Sequence, residues 1–138
     1  MTLTTTILIV EDDNDLRKLL RISLASSQRV IYEASTAEDG LRLALDTLPD
    51  ILLLDLGLSG ELDGFTLCKA MDDEPLLWNM KTVIISGHDT KEHLEKAGRY
   101  GIDAYLIKPF STKTVVDLVT RLEPKPHEML VIPAELNG

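Results

Sequence analysis

Three polar groups, the acidic cluster Glu11-Asp12-Asp13, Asp55 and Lys108, each directly follow an apolar run: Ile7-Leu8-Ile9-Val10, Ile51-Leu52-Leu53-Leu54 and Ala104-Tyr105-Leu106-Ile107. Short, wholly apolar runs predict parallel strands buried on both faces. In an open α/β sheet, ligands bind outside the carboxyl ends of the strands, so the carboxylates and the lysine should converge on one crevice. Several acids and one cation at a point suit a divalent metal and a phosphoryl group. Magnesium takes oxygen ligands and keeps several waters, and Asp12, Asp55 and a backbone carbonyl in the loop after Asp55 are a sufficient protein set. Charge on an incoming phosphoryl group would be neutralised there, leaving Asp55 to attack phosphorus and form an acyl phosphate. Lys108 is a point-charge donor for one phosphoryl oxygen, and Ser86, at the end of a fourth apolar run, offers a hydroxyl to another.

The elements that must carry these groups alternate strand and helix five times, which favours a parallel sheet with helices on both faces. Leu16, Leu20 and Ser23/Leu24 recur at helical spacing after the first strand, with Leu19 widening the stripe. A second strand spans Arg29-Val30-Ile31-Tyr32-Glu33. Ser35 or Thr36 caps a second helix whose apolar face is Ala37, Leu41, Ala44, Leu45 and Leu48, and Pro49 stops it. The segment from Gly57 to Gly64 has loop chemistry and leads to a helix carrying Phe65, Leu67, Cys68 and Met71, closed by Pro75. Thr82-Val83-Ile84-Ile85-Ser86 is the fourth strand. The helix after it, from about Thr90 to Arg99, has only Leu94 and Ala97 as anchors, so it should be marginally held and able to move. Val115, Leu118, Val119 and Leu122 mark a last helix from near Ser111. Trp78 is expected to pack a loop against the sheet, and Cys68 to lie on or near the core.

At 138 residues the chain fits one domain that can bury a core without disulfides or a structural metal. A net charge of -9 argues against direct nucleic-acid binding, which needs clustered Lys and Arg. The single cysteine, Cys68, excludes an internal disulfide, and no Cys/His spacing suggests zinc, so a cytoplasmic, reducing compartment is the simplest expectation. No apolar run approaches the roughly 18 residues of a membrane span. Domain organisation reads as residues 1–123 folded and 124–138 a tail or linker stub, beginning Pro124-Lys125-Pro126-His127. Met129-Leu130-Val131-Ile132 is apolar again, either as part of an unstructured tail or as an extra strand or docking peptide.

Five segments together resemble the response regulator receiver domain of bacterial two-component signalling, of the stand-alone chemotaxis-regulator type. They are Ile7 to Asp13, Pro49 to Asp55, Asp63-Gly64-Phe65, Val83 to Gly87 and Tyr105 to Phe110, and the resemblance covers residues 7 to about 122. It implies a flavodoxin-like three-layer sandwich, with a five-stranded parallel sheet in the order 2-1-3-4-5 and five helices on both faces. Asp55 would take a phosphoryl group from a phosphohistidine on a sensor histidine kinase or phosphotransfer protein. The metal, Mg2+ with Mn2+ as an alternative, would be ligated by Asp12, Asp55 and the Gly57 carbonyl, with Glu11 acting through water. Ser86 would draw toward the phosphoryl group and Tyr105 rotate inward, changing the face made by helix four, strand five and helix five for a downstream protein target. Gly57 and His88 would tune phosphoryl lifetime, and the Lys108-Pro109 bond would be cis. No nucleic-acid or membrane partner is implied, and the chain would be a monomer or weak dimer. The chain departs from the family pattern at Ser59, where a proline is usual, and at Glu61-Leu62, which includes one extra residue.

Two other functions use similar parts. A phosphatase of the haloacid dehalogenase type would also phosphorylate Asp55, but wants a second acid two residues later, where this chain has Gly57. A flavodoxin-like electron carrier needs a Ser/Thr/Gly-rich loop after the first strand, and Glu11-Asp12-Asp13-Asn14-Asp15 would repel the flavin phosphate. The same acids could instead favour the first turn of a helix through its macrodipole.

Overall fold

A computed structural model describes residues 3–58, 63–88, 90–125 and 129–136. Five strands, β1 (Thr5–Val10), β2 (Arg29–Ala34), β3 (Ile51–Asp55), β4 (Lys81–Ser86) and β5 (Ala104–Ile107), form one parallel sheet in the order β2-β1-β3-β4-β5. Between and after them run α1 (Asn14–Leu24), α2 (Ala37–Thr47), α3 (Gly64–Asp72), α4 (Lys91–Arg99) and α5 (Thr112–Leu122). The expected fold class and strand order are both found. Ile7 is in register with Ile31 and Ile51, and Asp55 with Ile85, which brings the carboxyl ends of the inner strands level.

Each α-helix starts on a side chain that accepts an otherwise unpartnered backbone N–H: Asp13, Thr36, Asp63, Thr90 and Ser111. Thr36, not Ser35, caps α2. Two apolar layers sandwich the sheet. On one face Leu8, Val10, Leu52, Leu54 and Ile84 pack with Ala37 and Ala44 of α2 and Leu67, Cys68 and Met71 of α3. On the other, Ile7, Ile9, Leu53, Val83 and Ile85 pack with Leu20 and Leu24 of α1 and Val115 and Val119 of α5. Alternation along each strand divides its residues between the two layers.

Close approach replaces bulk at two glycines. A methyl group on Gly40 would stand 2.9 Å from Val10 Cγ2, and one on Gly64 would stand 2.7 Å from the Leu56 Cα. These positions let α2 settle onto β1, and α3 start against the residue following Asp55.

Several expectations need correction. Leu45 and Leu48 are exposed, because the buried face of α2 runs through Ala37, Gly40 and Ala44, and Leu48 has already left the helix with φ 47°. Leu19 is exposed beside the narrower stripe of Leu20 and Leu24. Leu94 is exposed too, leaving Ala97 as the buried residue of α4. Trp78 is 83 % exposed; the 3-10 turn Pro75–Leu77 turns Leu77 inward in its place. Met129–Ile132 forms no strand and is exposed throughout.

Candidate functional site

The β1 ladder continues one residue past the strand, where the Glu11 N–H donates to the Ala34 carbonyl at 3.0 Å, so the Glu11 side chain enters the crest of the sheet. Asp13 turns away: its carboxylate accepts from the N–H groups of Asp15 (2.9 Å) and Leu16 (3.2 Å) as the cap of α1. One of the three clustered acids is therefore spent on starting the helix. Glu11, Asp12 and Asp55 each place a carboxylate oxygen within 4.8 Å of the others.

Asp55 ends β3, in the centre of the sheet, and is 5 % exposed. Its Oδ1 accepts the Gly57 N–H at 2.9 Å and its Oδ2 accepts from Lys108 Nζ at 3.2 Å. Lys108 Nζ stands 4.0 Å from Glu11 Oε1, so one ammonium faces two buried carboxyls. The Lys108 N–H donates to the Ser86 carbonyl at 2.8 Å, which ties its backbone to the end of β4. The Lys108-Pro109 bond is cis. Ser86 is buried, and its Oγ accepts the His88 N–H at 3.0 Å.

Burial pushes the Glu11 carboxyl up to about 9, helped by hydrogen bonding to Asp55 and by the negative charges of Asp55 and Asp12, against the pull of Lys108. Burial also raises Asp55, but hydrogen bonds from protonated Glu11, the Gly57 N–H and Lys108 outweigh it and hold Asp55 below the usual carboxylate range. Protonated, Glu11 shares its proton with Asp55. Ionised, both Glu11 oxygens are buried without a donor among the described residues. Buried acceptors of that kind need a cation or a proton. A hard divalent ion fits this donor set of oxygens, and Glu11, Asp12 and Asp55 are the side chains that would hold it.

Around this centre the structure places the remaining candidates. Tyr105 is half-buried against the α2/α3-side layer, and its hydroxyl donates to the His88 carbonyl at 2.6 Å. The His88 ring stacks on His93 of α4, with centroids 4.6 Å apart and planes 7° from parallel, so it faces the helix. Gly57 lies where a Cβ would come 3.5 Å from Asp55 Oδ1, which keeps that side of the carboxylate open. Ser59 and Glu61-Leu62, the departures from the family loop, lie outside the described residues.

Two further features escaped sequence reasoning. Phe65 of α3 meets Tyr100 at 5.9 Å and lies under Lys96 Nζ at 4.5 Å, so α4 is held by aromatic and cation–π contacts as well as by Ala97. Arg17, six residues past Glu11, donates from a terminal nitrogen to the Glu11 carbonyl at 2.8 Å. Its only signal in the sequence was a cation within two turns of the acidic cluster.

The response regulator receiver domain family matches residues 7–120 of the chain. Response regulator PleD of Caulobacter vibrioides is 36% identical over 106 residues, covering 75% of this chain and 22% of PleD. The KDP operon transcriptional regulatory protein KdpE of Escherichia coli is 35% identical over 107 residues, covering 77% of this chain and 45% of KdpE. The chain thus spans less than half the length of either relative. The crystal structure of a putative response regulator from Chloroflexus aurantiacus superposes with a TM-score of 0.78 at 28% identity, covering 86% of this chain and 97% of that one. These likenesses lend nothing to the phosphatase alternative, and among the described residues no helix is long and apolar enough to cross a membrane. With the sheet order, the buried acid pair and the ammonium already in place, the chain belongs to the response regulator receiver domains, the phosphoacceptor signalling switches of two-component systems.

Proposed function

We propose that Asp55 is the phosphoacceptor, taking a phosphoryl group from a phosphohistidine on a histidine kinase or phosphotransfer protein. The observation that carries this is the Asp55 carboxylate, buried at the centre of the sheet with Lys108 at 3.2 Å and two further acids converging on it. An Asp55 carboxylate oxygen attacks phosphorus, the P–N bond breaks, and the leaving imidazole takes up a proton as the acyl phosphate forms. Mg2+, or Mn2+ in its place, supplies charge neutralisation to the transferring group when bound. Asp12 and Asp55 would hold it directly with the Gly57 carbonyl, and Glu11 through water. Lys108 neutralises one phosphoryl oxygen, and the Ser86 hydroxyl donates to another. Catalysis in this reading is confined to the chain's own phosphorylation and dephosphorylation, with Gly57 and His88 setting how readily water reaches the acyl phosphate.

The signal leaves through Ser86 and Tyr105. Movement of Ser86 toward the new charge would release the His88 N–H from its Oγ, and the Tyr105 hydroxyl is bonded to the carbonyl of that same residue. The β4–α4 loop is therefore pulled from two sides, and α4, with one buried residue, is the element that follows. A downstream protein reading the α4, β5 and α5 face is the output. Residues 1–123 form the switch and 124–138 a tail or linker, in a cytoplasmic protein that is monomeric or weakly dimeric.

Incubation with Mg2+ and a small phosphodonor, followed by intact-mass measurement, tests the central step. One added phosphoryl group is expected, and none in Asp55→Ala or in chelator. A failure to form the adduct, together with no spectral change on adding beryllofluoride, would sink the proposal. Turnover of unrelated phosphate esters would instead favour the phosphatase.

A further inference from the structure

We propose that Arg17 is a positioning residue for the metal: it fixes the peptide plane joining Glu11 to Asp12, and through that plane the direction in which Asp12 presents its carboxylate. The inference rests on the metal-binding part of the function proposed above. Its basis is the way this turn is tied down. On one side the Glu11 N–H is held by Ala34 at 3.0 Å, and on the other Asp13 is committed to capping α1. The group between them that could rotate is the Glu11 carbonyl, and Arg17 donates to it at 2.8 Å.

The guanidinium is itself held from three directions. One terminal nitrogen reaches the Glu11 carbonyl, the other donates to Asn14 Oδ1 at 2.7 Å, and Nε faces Glu33 Oε1 at 3.5 Å. Glu33 sits on the edge strand β2 and is steadied by Arg21 Nε, 3.5 Å from its other oxygen. The Arg17 side chain is 19 % exposed, so the fork lies flat against the protein. A planar, multi-donor cation bound on three sides is suited to fixing an orientation, which a flexible lysine is not.

The need for such a brace is electrostatic. Glu11, Asp12 and Asp55 converge within 4.8 Å, and among the described residues Lys108 is the cation facing both Glu11 and Asp55. Without a metal, the negative charges of Asp12 and Asp55 repel one another across this gap. A braced Glu11–Asp12 peptide keeps Asp12 aimed inward before the ion arrives, so less rearrangement is charged to binding.

The sign of the effect separates this role from a plain charge effect. A cation near a dication site repels the dication, so deleting Arg17 tightens Mg2+ binding if only its charge matters. Deleting a brace weakens it. Calorimetric Mg2+ titration of the full chain should show Arg17→Ala binding about tenfold more weakly than the unsubstituted protein, the scale typical of lost outer-shell partners. Arg17→Lys, which keeps the charge and loses the fork, should also be several-fold weaker. Arg42→Ala, which removes an exposed arginine paired with Asp39 on α2, should bind as the unsubstituted chain does. Urea unfolding in chelator checks that the Arg17 variants are folded; if Arg17→Ala is not, Arg17→Lys alone carries the test. Unchanged or tighter Mg2+ binding in the folded Arg17 variants overturns the positioning role and leaves the proposed function standing. No saturable Mg2+ binding by the unsubstituted chain overturns both.

Discussion

Replacing Glu11 by glutamine should stabilise the metal-free protein above neutral pH and weaken its hold on a divalent cation. Glu11 is 2 % exposed, and its carboxyl, ordinarily near 4.5, is pushed up to about 9 by burial and by its contact with Asp55. The folded pair therefore keeps a proton that the unfolded chain surrenders from about pH 4.5 upward. With fewer protons bound in the unfolded state, stability falls as pH rises from there toward 9. At pH 8 the ceiling on that loss is ~5 kcal/mol, at ~1.4 kcal/mol per pH unit. Asp55 is held low, below its unfolded value of 3.8, so it is ionised in both states across this range and leaves the pH slope above ~5 to Glu11. A glutamine amide can donate to Asp55 without taking up a proton. Urea unfolding in chelator should find the two proteins within ~0.5 kcal/mol at pH 5. At pH 8 Glu11→Gln should be more stable by up to ~4 kcal/mol, three pH units at ~1.4 kcal/mol each, and millimolar Mg2+ should narrow that gap by stabilising the unsubstituted chain more. Parallel pH profiles for the two proteins in chelator, or a less stable variant at pH 8, would refute the reasoning.

Other substitutions probe the scaffold. Gly40→Ala drives a methyl group to 2.9 Å from Val10 Cγ2, and overpacking of ~1–3 kcal/mol should exceed the ~1 kcal/mol gained in helix propensity, lowering the urea midpoint. Glu123 takes two hydrogen bonds from Arg29, at 2.8 and 3.3 Å, and one from Thr5 at 2.7 Å, and its carboxyl is held low chiefly by Arg29. That stability is present above the unfolded pKa near 4.5 and lost as pH falls, so Glu123→Gln should cost ~1–2 kcal/mol at pH 7 and progressively less below pH ~4 in urea titrations. Trp78→Ala should leave the midpoint within ~0.5 kcal/mol despite the residue's size, because the ring is 83 % exposed; a larger loss would mean that something covers it.

The inner strands were legible because β1, β3 and β4 carry apolar runs buried on both faces, and buried parallel strands leave that mark regardless of context. Asp55 and Lys108 were legible for a related reason: a charge directly after such a run has only the crevice to occupy. Helix faces were read less well. Leu45, Leu48 and Leu94 continue a helical pattern in the sequence, yet the close contact of Gly40 with Val10 rotates α2 toward its small residues, and α4 leans on Phe65 and Tyr100 rather than on its leucine. Contacts that depend on tertiary approach left no periodic trace. The His88–His93 stack joins a loop to a helix, and the Arg17 tether joins a side chain to a carbonyl, a group that every residue carries.

A helix with one buried position is also a helix whose sequence folding constrains at few places, here Ala97 and the residues that meet Phe65 and His88. Of the nine residues of α4, Ala97 is the one that packs into the interior, while Asp55 and its neighbours are anchored by strands buried on both sides. If α4 carries the output as proposed above, substitutions along it that re-address that output to a different target would leave the crevice and the fold nearly untouched. The same chemistry can be rewired by surface editing alone, and a deep mutational scan scored for folding would show α4 as a tolerant window between two intolerant strands.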